Sequence, residues 1–226
     1  MNIFDIMGPV MVGPSSSHTA GAARMGYVAR KLLGFQPARA DIALHGSFAA
    51  TGAGHGTDKA IVAGLLAMRP DDPDIPRSFQ LAQEAGLKVN VRTVDLRDAP
   101  ADTAVMTLIG ERGRTVVVSA TSIGKGRIWV NSVDGMHVSF TADLPTLVIR
   151  LEDRPGIVAA VSSCLVGHGV DIEGFQHYRH RRNDLAQGDI SIMVIESDQS
   201  IDQQVMDDLM LLPGVVRNIY LDLEEG

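Results

Sequence analysis

Apolar positions recur along the chain with two periods, and the alternation between them predicts its elements. Met25, Val28, Ala29, Leu32 and Leu33 follow i, i+3, i+4, i+7, i+8 spacing, which predicts a helix over residues 19–33 with Gly34 placed to end it. Ala40, Ile42 and Leu44 alternate and predict a strand that ends at His45-Gly46-Ser47. A Gly-rich loop through Gly52, Gly54 and Gly56 is expected next, leading into a helix from near Thr57 with Ile61, Leu65 and Met68 along one side. The acidic, Pro-rich stretch 69–76 reads as a surface loop. A short helix over 79–85 then precedes strands over 88–94, 103–109, 115–120, 127–130 and 137–141. With helices early and strands late, this part is α+β.

From Leu144-Pro145 onward the pattern is simpler. It predicts a strand over 146–151, an apolar helix over 156–166, strands over 170–178 and 190–196, a helix over 201–210 and a strand over 215–223. That order, βαββαβ, is the ferredoxin-like arrangement. The chain is therefore expected to carry an N-terminal mixed α/β domain over 1–143 and a smaller domain over 146–226.

Charge supports the division. Residues 1–144 hold fourteen Lys/Arg against thirteen Asp/Glu, whereas residues 145–226 hold six against fourteen. Neither part is basic, so phosphate-backbone binding lacks its main source of affinity, and nucleic acid is not an expected partner. Aromatics are only 4% of the chain, which also argues against stacking on bases. Hydrophobic residues at 45% and charged residues at 21% exclude a disordered chain or a collagen. The longest charge-free run, residues 6–23, is broken by Pro9, Pro14, three serines and His18, so no membrane segment is expected. The first basic residue is Arg24, which leaves no charged region before an apolar start, and a cytoplasmic location is expected.

Two stretches concentrate hydroxyls, histidine and glycine: Gly13-Pro-Ser-Ser-Ser-His-Thr19, and the run from His45 to Thr57. A helix cap and a turn explain some of this, with Ser16 or Ser17 as the cap. Three serines before a histidine exceed what one cap needs, and a helix N-terminus with several donors suits a carboxylate. The glycines lack the G-x-G-x-x-G and G-x-x-x-x-G-K-[ST] spacings, so nucleotide binding is rejected. No G-x-S-x-G is present to support a serine hydrolase. His55, flanked by glycines, is free of crowding and able to project into a cleft. His177 and His180 are expected on opposite faces of a strand, as a solvated strand end rather than a ligand pair. Cys164, the single cysteine, is expected to be a small buried side chain. One cysteine excludes an intrachain disulfide and cannot by itself ligate an iron-sulfur cluster.

In the second part, Asp153-Arg-Pro-Gly-Ile157, Gly167-His-Gly-Val-Asp-Ile172 and Leu212-Pro-Gly-Val215 resemble the ACT domain, a small-molecule sensing module often specific for amino acids. In the first, residues 6–24 and 45–60 closely resemble the β subunit of the iron-sulfur-dependent L-serine dehydratase (L-serine ammonia-lyase) family. One departure is Ser122-Ile-Gly-Lys-Gly126, where that family is expected to have three consecutive glycines. The resemblance implies conversion of L-serine to pyruvate and ammonia with a 4Fe-4S cluster. It also implies that the cluster is held by three cysteines of a separate α subunit, with no metal ligand on this chain. One iron without a cysteine ligand then serves as Lewis acid on the substrate.

A base must remove the α-proton, and histidine has the appropriate pKa without perturbation. By resemblance, His55 is the expected base, with His18 and His45 as the other catalytic candidates. Ser15, Ser16, Ser17, His18 and Thr19 are expected to hold the substrate carboxylate or face the cluster, and Ser47 and Thr51 to complete the pocket. Arg154 and Gly156 are expected at an ACT ligand site, and the ACT domain is expected to mediate self-association. The rival expectation is a non-catalytic allosteric anion- or amino-acid-binding module, similar to one beside ACT in some 3-phosphoglycerate dehydrogenases.

Overall fold

The periodic apolar run forms helix α1 (Ala22–Leu33), and its face of Met25, Val28, Ala29, Leu32 and Leu33 is buried. Gly34 ends the helix in a left-handed conformation (φ 97°), its N–H donating to the Arg30 carbonyl at 2.9 Å. The structure is a computed structural model that describes residues 10–111, 113–180 and 189–223. The chain divides into two units, with the boundary after Gly135.

Before α1 lies a π-helical turn, Ser17–Gly21, in which the Gly21 N–H reaches back to the Ser16 carbonyl at 2.8 Å. Neither Ser16 nor Ser17 caps it. The capping hydroxyl is that of Ser15, which accepts the His18 N–H at 3.3 Å. A cap on the residue before the expected ones follows from the wider turn, which starts the helical path earlier.

In the first unit, β1 (Arg39–Leu44) pairs in parallel with β2 (Lys88–Thr93) and antiparallel with β3 (Thr103–Ile109). The antiparallel ladder continues to β4 (Thr115–Gly124) and β5 (Arg127–Val133), giving the order β2-β1-β3-β4-β5. Helix α1 lies on β3 and β4. The expected Gly-rich loop is instead a helix, α2 (Gly46–His55), followed by α3 (Thr57–Leu65), with Gly56 left-handed between them (φ 71°). Glycine disfavours helix by about 1 kcal/mol per residue, but the burial of Phe48 and Gly52 overrides that preference. Helix α4 (Ser78–Glu84) follows the surface loop.

Helices α1 and α3 cross at a glycine notch. A Cβ at Gly26 would stand 2.1 Å from the Ile61 carbonyl oxygen, and one at Gly64 would stand 1.9 Å from that of Ala23. Both neighbours are backbone and cannot swing away, so only glycine permits this approach.

The second unit opens with β6 (Met136–Phe140). It continues as β7 (Thr146–Glu152), α5 (Ile157–Gly167), β8 (Gly174–His180), β9 (Ile190–Glu196), α6 (Gln203–Leu211) and β10 (Val215–Leu221). The sheet order β10-β7-β9-β8, antiparallel at each pairing, is ferredoxin-like. Leu147, Ile149, Leu151, Met193 and Ile195 of the sheet meet Ile157, Val161, Leu165, Val205 and Leu209 of the helices in one core. Strand β8 begins four residues later than the pattern predicts. Val170 belongs to the end of α5: its N–H donates to the Leu165 carbonyl at 3.0 Å after left-handed Gly169, a Schellman closure with Val170 as its apolar contact.

His177 is not a solvated strand end. Its Nε2 is buried without a hydrogen-bond partner among the described residues, and burial pushes the imidazole pKa below the usual histidine value. The side chain of His180 lies outside the described residues. Because the neutral form is favoured only in the folded state, the unfolded chain binds more protons below the ordinary pKa of about 6.5. Stability contributed by neutral His177 is thus present above pH about 6.5 and lost as pH falls toward the lowered folded value. Urea midpoints measured from pH 7 to 5 should fall less steeply for His177→Leu than for the unaltered chain; equal slopes would contradict the assignment. Among the described residues, no helix is long and apolar enough to cross a membrane.

Candidate functional site

Helix α2 repeats every four residues on one face: Ser47, Thr51 and His55 stack there, with Phe48 beside them. Against this face stands His18 from the π-helical turn. Its ring meets that of His55 edge-on at 4.9 Å between centroids and that of Phe48 at 5.2 Å. The sequence-predicted residues Ser15, His18, Thr51 and His55 therefore converge, although His18 and Thr51 are 33 positions apart in the chain.

Donor counting orients the His18 ring. The Thr51 hydroxyl donates to the Ser47 carbonyl at 2.8 Å, so Thr51 Oγ1 is the acceptor in its 3.0 Å contact with His18 Nε2. Nε2 then carries the proton, and Nδ1 accepts from the Ser15 hydroxyl at 3.2 Å. Both nitrogens of His18 are engaged. His55 is exposed at the C-terminus of α2, and among the described residues its ring nitrogens have no hydrogen-bond partner. The pair thus joins an imidazole held at both nitrogens to one whose ring nitrogens are unengaged among the described residues.

The other predicted residues are disposed differently. His45 ends β1 with its ring turned to the backbone: Nδ1 accepts the Leu96 N–H at 3.1 Å and Nε2 donates to the Ala99 carbonyl at 3.2 Å. Ser47 gives its hydroxyl to the Asp102 carboxylate. Thr19 is 2% exposed, and its Oγ1 fills the space where a Cβ on Gly13 would stand. The Ser16 carbonyl is spent within the turn, and Ser17 is half-buried as its first residue. In the second unit, the Arg154 guanidinium donates to the Pro213 carbonyl and packs over Gly214, while left-handed Gly156 (φ 84°) opens α5 with free space where a Cβ would stand. Sequence motifs gave no signal for Phe48 and Asp102, whose roles depend on partners distant along the chain. The Ser122 hydroxyl, at the departure from the expected glycine run, is buried against Gly21 without a hydrogen-bond partner among the described residues.

Fold and site together define a class: α+β proteins with a hydroxyl–imidazole cluster in one unit and an ACT-type ferredoxin-like fold in the other. Residues 2–116 match the serine dehydratase beta chain family, and residues 145–210 match the ACT domain. The chain is 38% identical over 216 residues to the probable L-serine dehydratase, beta chain, of Bacillus subtilis, with 96% of each chain covered. It is 37% identical over 179 residues to the L-serine dehydratase, beta chain, of Peptoniphilus asaccharolyticus, covering 79% of this chain and 81% of that one. L-serine dehydratase 2 of Escherichia coli is 41% identical over 81 residues, which is 33% of this chain and 17% of that one. Among solved structures, the ACT domain of a Chlorobium tepidum GTP pyrophosphokinase covers 34% of this chain and 84% of its own, at 16% identity and a TM-score of 0.26. The chain belongs to the serine dehydratase beta chain family.

Proposed function

We propose that this chain is the β subunit of an iron-sulfur-dependent L-serine ammonia-lyase, supplying substrate-binding groups and the base that removes the α-proton. The observation that carries this is the convergence of Ser15, His18, Thr51 and His55, with the His55 ring nitrogens unengaged among the described residues. The serine carboxylate belongs at the start of the π-helical turn, near Ser15, Ser16 and Ser17, where hydroxyls and helix-terminal amides favour an anion. His55 accepts the α-proton at a ring nitrogen. The electron pair released from the Cα–H bond forms the Cα–Cβ double bond as the β-hydroxyl leaves as hydroxide, which with the proton taken up by His55 amounts to one water; the aminoacrylate tautomerises to its imine, which takes up one water to give pyruvate and ammonia.

The chain's own donors do not fit an iron-sulfur cluster. Its one cysteine, Cys164, is half-buried on α5, where burial pushes the thiol pKa up, and no three His, Cys, Asp or Glu converge among the described residues. The cluster's thiolates are therefore assigned to a separate α subunit, and this chain's part is the substrate and the proton. Anaerobic co-purification with a cysteine-bearing partner, followed by iron analysis and a pyruvate assay, tests this. Iron and activity are expected only in the complex. Iron-sulfur absorption from the isolated chain that disappears in Cys164→Ser would refute the assignment.

Self-association is proposed for the second unit, whose edge strands β8 and β10 carry Phe175 and Val216 at 40% and 50% exposure. Sedimentation of the chain should show an oligomer that Phe175→Lys or Val216→Lys weakens. A strictly monomeric unaltered chain would exclude it.

A further inference from the structure

The junction between β1 and α2 rests residue by residue on the segment that leads into β3. His45 donates through its backbone N–H to the Thr103 carbonyl at 3.0 Å and through Nε2 to the Ala99 carbonyl at 3.2 Å. Gly46, left-handed at φ 58°, lies so close to Ala101 that a Cβ would stand 2.4 Å from its carbonyl oxygen. Ser47 donates its hydroxyl to the Asp102 carboxylate. The segment is itself braced, since the Thr103 hydroxyl donates to the Pro100 carbonyl at 2.7 Å and the Ser122 N–H donates to the Asp102 carbonyl at 2.9 Å.

Asp102 places a carboxylate at the first turn of α2, where it opposes the positive end of the helix dipole. The Ser47 that it holds also presents the carbonyl to which Thr51 donates, and that bond leaves Thr51 Oγ1 as the acceptor for His18 Nε2. A line of hydrogen bonds thus runs from Asp102 through Ser47 and Thr51 to His18 and ends at the Ser15 hydroxyl.

We infer that Asp102 is a positioning residue for the reaction: by fixing Ser47 it sets the height of α2, and with it the places of Thr51 against His18 and of His55 against the substrate. The inference rests on the proposed lyase activity for its kinetic consequence, but its structural consequence stands apart from that activity. Asp102 touches neither substrate nor the proton in transit, so its loss acts through alignment. Misplacement of reacting groups by about 1 Å costs on the order of 10²-fold in rate.

The test has two arms. In the isolated chain, nuclear Overhauser contacts from the His18 ring to Thr51 and to the Phe48 ring are expected in the unaltered protein and in Asp102→Asn, whose amide oxygen still accepts from Ser47. They are expected to disappear in Asp102→Ala. In the reconstituted complex, Asp102→Ala should lower kcat by about 10²-fold with KM little changed, while Asp102→Asn restores most of the rate. Should Asp102→Ala fail to fold, Ser47→Ala removes the same bond from the other side and carries the same expectation. Retention of the His18 contacts in a folded Asp102→Ala or Ser47→Ala chain overturns the inference, as does unaltered kcat. A complex of unaltered chains that lacks lyase activity refutes the proposed function instead, and the contacts in the isolated chain then decide the role of Asp102.

Discussion

In the reconstituted complex, His55→Ala is expected to lower kcat by about 10²–10⁴-fold, the usual cost of losing a general base, with the visible absorption of the cluster unaltered. The expectation follows from what surrounds the two clustered histidines. His18 has both nitrogens committed, to Thr51 and to Ser15. Accepting a substrate proton at Nδ1 would require that ring to release the Ser15 hydroxyl first. His55 carries no such cost: it ends α2, exposed, with its ring edge-on to His18. His45 is not proposed as the direct acceptor because its nitrogens serve the Leu96 and Ala99 backbone. Loss of His55 removes no iron ligand in this assignment, so rate and cluster spectrum should separate. Near-native turnover by His55→Ala would move the base to His18. A bleached cluster in the same variant would instead make His55 part of the metal environment.

How far this site could be read from sequence depended on the range of the interactions involved. Residues 103–109 and 190–196 are apolar runs of strand length and form strands over those bounds; Ala104, Met106 and Leu108 line the buried face of the first, whereas 191–195 is buried throughout. The βαββαβ order was legible for the same reason. Helix α2 was not. Gly52, Gly54 and Gly56 predict a loop, and what holds α2 as a helix is distant in sequence: Asp102 at its first turn, and the buried surroundings of Phe48. Local preference therefore pointed one way and tertiary structure the other. The candidate list met the same limit. Small polar residues in the two motifs were all eligible as ligands by type, yet Ser47 and Thr19 spend or bury their hydroxyls within the fold. Only the convergence of α2 with the π-helical turn separates them from Ser15 and Thr51.

Phe48→Ala is expected to destabilise the chain by about 3–5 kcal/mol, the range for removing a fully buried aromatic side chain. Phe48 is 0% exposed and among the largest fully buried side chains of the chain. Helix α2 offers little to compensate, since its ten residues are mostly Gly and Ala, and each glycine favours the unfolded state by about 1 kcal/mol relative to alanine. A helix of that composition and length is not stable alone in water, so its anchorage must come from Phe48 and from the hydrogen bonds at its first turn. Because Phe48 also meets the His18 ring edge-on, a cavity there removes one wall of the histidine cluster, and kcat should fall in the same variant even under conditions where the chain remains folded. Phe48→Leu, which keeps most of the volume and none of the ring edge, separates the two effects. It should lose only about 1.5 kcal/mol while still lowering kcat. Denaturant midpoints on the isolated chain and turnover in the complex measure them independently. An unchanged midpoint in Phe48→Ala would mean that α2 is held by its hydrogen bonds to the segment before β3 alone, and unchanged turnover that the ring edge contributes nothing to the histidine cluster.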